Sequence, residues 1–180
     1  MQPPQVVLTH TAGLGPEGIA ALRAFLGDAF DGDFAEEDLE HALGGIHAVV
    51  REDDDDLVAH GAVVLRRLQH GGRSLRTGYV EAVAVRADRR GRGLGHAVMA
   101  ALEDVIRGGY ELGALSASEA GEPLYDARGW RRWEGPTSVL APDGPRRTPE
   151  DDDAVRVLTV TARLDPAGAL ACDWRPGDVW

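Results

Sequence analysis

The chain has 180 residues, 43% of them hydrophobic, enough to build one core, so a single domain spanning 1–180 is expected. Nineteen basic residues, all Arg, stand against 30 acidic ones, for a net charge of −11; that balance excludes a nucleic-acid binder and suits a polycationic partner. No run approaches the roughly 18–20 apolar residues that cross a membrane. The N-terminus lacks a basic segment followed by an apolar one, and Cys172 has no partner for a disulfide, so a cytoplasmic protein is expected.

In chain order, a strand is predicted over Gln5 to Thr11 and a helix over Pro16 to Gly27, with Pro16 in its first turn. A short helix follows over Glu36 to Leu43, capped by Asp33 or, less plausibly, Ala35, and ended by Gly44-Gly45. Strands at Ile46 to Arg51 and Leu57 to Arg67 form a hairpin over an acidic tip, Asp53 to Asp56. His70-Gly71-Gly72-Arg73 turns the chain into a long central strand. Its apolar end, Val80 to Val85, carries one acid, Glu81. Alternation puts Tyr79, Glu81, Val83 and Val85 on one face, and a bulge would change that count. A buried charge is costly without a partner. Glu81 is therefore either a salt-bridged strand-edge carboxylate or a general base tuned by its surroundings.

The turn Arg90-Gly91-Arg92-Gly93-Leu94-Gly95 then joins this strand to a helix over His96 to Ile106, which buries Val98, Leu102, Val105 and Ile106. Glycines let backbone approach a ligand, and a helix start offers unpaired N–H groups to an anion. Arg86 and Arg89 add to the cluster. Taken alone, the same turn serves equally as an ordinary strand-to-helix corner with solvated arginines. It is neither a P-loop nor the Gly-x-Gly-x-x-Gly of dinucleotide folds. A strand over Leu112 to Ser118 precedes Leu124-Tyr125-Asp126-Ala127-Arg128-Gly129-Trp130. Late strands are predicted at Thr137 to Ala141 and Val155 to Thr161, with a turn-rich loop from Pro142 to Pro149 between them. From Leu164 the tail is too rich in Gly and Pro for regular structure. The six histidines show no metal-ligand spacing, and no metal is expected.

Two of these segments together resemble the GNAT superfamily of N-acetyltransferases. Arg90, Gly93 and Gly95 match its Arg/Gln-x-x-Gly-x-Gly/Ala motif, and Leu124, Tyr125, Gly129 and Trp130 match its Leu-Tyr-x-x-x-Gly-Phe/Trp signature. Segments Asp28 to Phe34, Glu40 to His47, Gly135 to Pro142, Arg147 to Pro149 and Cys172 to Trp180 resemble the aminoglycoside 2′-N-acetyltransferase branch, nearly end to end. The resemblance implies an α/β (α+β) fold: a mixed, mainly antiparallel sheet with splayed central strands, flanked by helices. It implies acetyl-CoA as cosubstrate, its pantetheine bonded to the backbone of Val83, Ala84 and Val85, its pyrophosphate on Arg90, Gly91, Arg92, Gly93, Leu94 and Gly95. It further implies Glu81 as base, directly or through a water, the Val83 N–H as oxyanion donor, and Tyr125 as the acid that protonates the departing thiolate. The acceptors implied for an aminoglycoside are Asp33, Glu81, Ala82, Ser116, Asp151, Asp178 and Trp180, and the implied assembly is a homodimer. Two other readings stay open: the same chemistry on a cell-wall amino sugar or small thiol precursor, and an acyl-CoA-binding module without turnover, against which intact Glu81 and Tyr125 count.

Overall fold

A computed structural model describes residues 4–52 and 56–180. Its elements are β1 (Val6–His10), α1 (Thr11–Ala29), α2 (Glu36–Ala42), β2 (Ile46–Arg51), β3 (Leu57–His70), β4 (Arg73–Val85), α3 (Leu94–Gly109), β5 (Leu112–Ser116), α4 (Glu122–Ala127), β6 (Arg131–Arg132), β7 (Thr137–Ala141), β8 (Gly144–Arg147), β9 (Val155–Thr159) and β10 (Leu170–Asp173). The expected α/β class holds. Strand pairing is mixed and mainly antiparallel, with β4·β5 and β10·β7 the parallel ladders among the described residues. Of the acidic tip, Asp53 to Asp55 lie outside the described residues. The chain forms two compact units, and β3, β4 and α3 each contribute to both.

The first unit combines residues up to Val64 with Val80–Val105. Its β1, β2 and β3 pair antiparallel, Val6↔Val50 through His10↔Ile46 and Ile46↔Val63 through Val50↔Ala59. Gly15, at φ 65°, breaks α1 just before Pro16, so the main helix starts where the proline's fixed φ favours it. Asp31 and Gly32 both take positive φ at its far end, and the Gly32 N–H closes on Gly27 O at 2.8 Å. The cap of α2 is Ala35, not Asp33. Asp38, one turn in, accepts the Ala35 N–H at 2.8 Å, which does from inside the helix what a capping side chain does from outside. Leu22, Phe25, Leu26, Leu39 and Ala84 form one core cluster, with Ala82 packed against it. On the other face of β3, Gly61 admits α3: a Cβ there would lie 2.8 Å from Val98 and 2.9 Å from Leu102.

The second unit combines Leu65–Tyr79 with Ile106–Trp180. β4 pairs with β5 only through Thr77↔Leu112, Gly78↔Gly113 and Tyr79↔Ala114, and β5 continues antiparallel to β9. Two expectations fail here. The loop from Pro142 to Pro149 contains β8, paired with β7 from Ser138↔Arg147 to Ala141↔Gly144. The tail contains β10, which pairs with β3 on one edge and β7 on the other. β8 has no apolar run and forms as the return arm of a tight hairpin with β7, whereas β10 is paired by strands far earlier in the chain. Arg66, almost fully buried, fixes the far end of β10 through Asp173, with Nε to Oδ1 at 2.9 Å and Nη2 to the backbone oxygen at 2.8 Å. No described helix is long and apolar enough to cross a membrane.

Candidate active site

In the first unit the site residues sit on the second half of β4 and the turn after it. Ala82 has φ 50°, a region that costs a non-glycine residue about 1–3 kcal/mol. This residue is where alternation along β4 slips. Before it, Gly78 faces Ile106 of α3, while after it Val83 lies on the α3 side, beside Gly61, with Ala82 and Ala84 in the opposite core. Tyr79, Glu81, Val83 and Val85 therefore do not share one face, contrary to simple alternation, because the bulge inserts an extra residue. Glu81 and Val83 are half-buried. The carbonyl of Ala82 points into the unit and accepts from His60 Nδ1 at 2.8 Å. His60 in turn bonds His47, and His47 bonds Thr11. Burial holds both rings neutral, lowering His47 to about 4, with the charge of His10 adding, and His60 to about 3.

After β4 the chain makes one 3-10 turn, Ala87–Arg89, and enters α3 at Leu94. Gly91 and Gly93 take φ 75° and 78°, and a Cβ on either would meet nothing within 4 Å. The turn is thus open on its outer side and closed to L side chains by backbone conformation alone. The first N–H groups of α3, on Leu94, Gly95 and His96, have no acceptor inside the helix and suit an anion. The arginines divide their work. Arg90 donates Nε to Val85 O and Nη2 to Ala29 O, each at 3.2 Å, so it braces the turn against α1. Arg86 pairs with Asp88 and Asp56, and Arg89 with Glu52. Arg92 is exposed and makes no hydrogen bond or ion pair among the described residues, which leaves it the uncommitted cation of the turn. Asp33 is exposed in the loop after α1, its N–H on Phe30 O at 2.9 Å.

In the second unit, Tyr125 is buried in α4 with its ring edge-on to Trp130, centroids 6.4 Å apart. Arg156 of β9, itself buried, anchors α4 by Nη2 to Glu122 Oε1 at 2.7 Å. Gly129, at φ 82°, turns the chain from α4 into Trp130, which explains the glycine of the Leu-Tyr-x-x-x-Gly-Trp signature. Ser116 ends β5 and is half-buried.

The tail and the Pro149–Asp151 turn come together. Trp180 is buried, its indole N–H on Thr148 Oγ1 at 2.9 Å and its backbone N–H on Asp178 Oδ1 at 3.3 Å. Arg175 straps this end by Nε to Asp178 O at 2.8 Å and Nη2 to Trp180 O at 3.0 Å, while stacking over Tyr79, its Cζ 5.4 Å from the ring centroid. Burial, then the charges of Asp178 and Glu150, push the Asp151 carboxyl up to about 6. Burial is the larger cause; the like charges of Asp178 and Glu150 beside the carboxyl are what make this a place where a cation is favoured.

Glu81, Ala82, Val83, Ala84, Val85 and the turn Arg90–Gly95 thus lie on one continuous stretch of the first unit, and Asp151, Asp178 and Trp180 form one cluster in the second. Sequence reasoning overlooked His47, His60, Thr148 and Arg175. The two histidines had a signal: each is the one polar residue in an apolar run, Ile46 to Val50 and Leu57 to Leu65. The other two lie in loops and had none.

A strand with a bulge leads into a glycine turn and a helix start whose N–H groups suit an anion. The chain matches the family model for the acetyltransferase (GNAT) domain over residues 16–133 and belongs to the GNAT acetyltransferases, whose acetyl donor, and this chain's cosubstrate, is acetyl-CoA. It is 52% identical over 177 residues to an aminoglycoside 2′-N-acetyltransferase of Mycolicibacterium fortuitum, covering 96% of this chain and 90% of that protein. Its fold is similar to the GNAT family N-acetyltransferase YhbS from Escherichia coli in complex with CoA (TM-score 0.65, 16% identity, 96% of this chain and 92% of that one). It is also similar to ElaA from Escherichia coli (TM-score 0.60, 16% identity, 86% and 98%).

Proposed function

We propose that this chain transfers the acetyl group of acetyl-CoA to the 2′-amino group of aminoglycosides, by direct attack of the amine on the thioester. The observation that carries this reading is the 52% identity, over almost the whole chain, to an enzyme of that name. The acid cluster of Asp151 and Asp178 supports it, since a polycationic sugar needs such acceptors.

The cosubstrate's pantetheine arm bonds the backbone of Val83, Ala84 and Val85, and its pyrophosphate rests on Arg90 to Gly95. Because Arg90 braces the turn, backbone N–H groups and Arg92 carry the phosphate charge. An ammonium has no lone pair, so Glu81 first takes a proton from the 2′-amine, directly or through a water. The free amine attacks the thioester carbonyl. The Val83 N–H receives the oxyanion, an interaction of about 2.7–4 kcal/mol when well aimed. The attacking nitrogen, positively charged once bonded to carbon, gives its second proton to solvent as the C–S bond breaks, and the thiolate takes the Tyr125 proton. Phenol and thiol have ordinary pKa values of about 10 and 8.5, so this transfer is slightly uphill and contributes less than positioning does. Solvent then returns a proton to Tyr125 and removes one from Glu81. Asp33, Ser116, the Ala82 backbone, Asp151, Asp178 and Trp180 bind the sugar's ammonium and hydroxyl groups. The chain works as one catalytic domain, in the cytoplasm and as a homodimer.

Two aminoglycosides differing only in an amine or a hydroxyl at the 2′ position test the reading. CoA thiol release is expected with the amine and near background with the hydroxyl. Equal release from both would place the reacting group elsewhere.

A further inference from the structure

A chain of hydrogen bonds, buried at its two histidines, runs from the loop after α2 to the bulge in β4. The Gly44 N–H reaches Thr11 Oγ1 at 2.8 Å, and Thr11 Oγ1 lies 2.8 Å from His47 Nε2. His47 Nδ1 lies 2.9 Å from His60 Nε2, and His60 Nδ1 lies 2.8 Å from Ala82 O. Both histidines are fully buried. Antiparallel register makes them diagonal neighbours, His47 opposite Ala62 on β3 and His60 opposite Val49 on β2.

Its direction is determined from one end. A carbonyl only accepts, so His60 carries its proton on Nδ1. The rings are neutral, so His60 Nε2 accepts and His47 donates from Nδ1. His47 Nε2 then accepts from the Thr11 hydroxyl, which accepts from Gly44. Every ring nitrogen is satisfied, and one tautomer of each histidine fits.

The chain ends on a peptide plane. The Ala82 carbonyl and the Val83 N–H belong to one rigid trans unit and point in opposite directions. Holding the carbonyl on His60 therefore points the Val83 N–H away from His60. A donor on the carbonyl also polarises the amide and strengthens its N–H, as in other hydrogen-bond chains.

We propose that His60, oriented by His47 and Thr11, is a positioning residue: its bond to the Ala82 carbonyl holds the β4 bulge and aims the Val83 N–H at the developing oxyanion. This rests on the reading of Val83 as oxyanion donor in acetyl transfer. The histidines touch neither substrate nor reacting atoms.

His60→Asn keeps an N–H donor near the Nδ1 position, whereas His60→Leu keeps none. In the Leu variant kcat is expected to fall roughly 10–100-fold, with KM for acetyl-CoA and amine within about twofold of wild type, and the Asn variant to recover most of the loss. With Ala82 carbonyl carbon and Val83 amide nitrogen labelled, both NMR shifts move in the Leu variant and return towards wild type in the Asn variant. Wild-type kcat in the Leu variant overturns the proposal. So does lost kcat with unmoved Ala82–Val83 shifts, or equal loss in both variants. Should His60→Leu not fold, Thr11→Val decides: it removes only the orienting hydroxyl, and unmoved Ala82–Val83 shifts there overturn the chain's role. The labelled spectra need no turnover. An inactive wild type would therefore sink the acetyl-transfer reading and leave the spectra to judge the bulge.

Discussion

The indole N–H of Trp180 ends on Thr148 Oγ1, 2.9 Å away, with both side chains buried. Thr148 also hydrogen-bonds to Asp151, so the indole holds the turn that carries one proposed sugar acceptor, while its backbone holds the other, Asp178. Trp180→Phe keeps an aromatic ring and removes the donor. Stability should drop by about 1 kcal/mol, and aminoglycoside binding should weaken several-fold with CoA binding unchanged. Titration calorimetry with each ligand checks this, and a larger loss for CoA than for the antibiotic would refute a substrate role for this end of the chain.

Asp151 supplies a pH signature. Its carboxyl, raised to about 6, is half-protonated at that pH, whereas an ordinary aspartate ionises near 3.8. The sign follows from the ligand's charge. A cation prefers the ionised acid, so aminoglycoside affinity should strengthen as pH rises through 6 and fall below it. Binding near pH 6 should release part of a proton. In the unliganded fold the sign is opposite: ionising this crowded acid costs stability above pH 6, a cost relieved as pH falls through that value. Calorimetry in two buffers of different ionisation enthalpy counts the protons, and Asp151→Asn should abolish the release. An unchanged count in that variant would assign the proton elsewhere.

Glu81→Gln keeps the shape of the side chain and removes the base. If Glu81 accepts the amine proton, kcat should fall roughly 10²-fold or more, and its rise with pH should flatten. The bulge at Ala82 leaves Glu81 half-buried beside it, so the neutral amide should be tolerated without loss of fold. A variant with the wild-type pH profile would discard the role.

What could be read in the sequence was local. Pro16 marked where the main part of α1 begins, after the break at Gly15, the glycine turn before α3 follows from short-range rules, and Tyr125 in α4 from the family signature. What could not be read depends on partners far along the chain. β10 lies in a Gly- and Pro-rich tail and exists because β3 and β7 offer it edges on both sides. Asp33 lost the α2 cap to Ala35 because Asp38 reaches back from inside the helix. The β4 alternation slipped at an alanine that nothing in its own side chain marks; the His60 bond that meets it starts 22 residues earlier. Asp151 and Asp178 were named together only through the family resemblance; 27 residues apart, they are brought together by the bonds of Trp180 to Thr148 and Asp178.

Glycines that look alike in sequence should fail differently. Gly93 needs its φ of 78° but has open space where a Cβ would go. Gly93→Ala should cost about 1–2 kcal/mol through backbone strain and leave a methyl group in the path of the phosphates. CoA affinity should then fall more than the loss of stability explains. Gly61 has ordinary backbone but no room, its Cβ falling 2.8 Å from Val98 and 2.9 Å from Leu102. Gly61→Ala should push α3 off β3 at about 1–3 kcal/mol, with CoA affinity of the folded fraction close to wild type. Chemical denaturation and CoA titration of both variants separate the two kinds of glycine. Should Gly93→Ala bind CoA as wild type does, the turn would be a structural corner and the phosphate site would lie elsewhere.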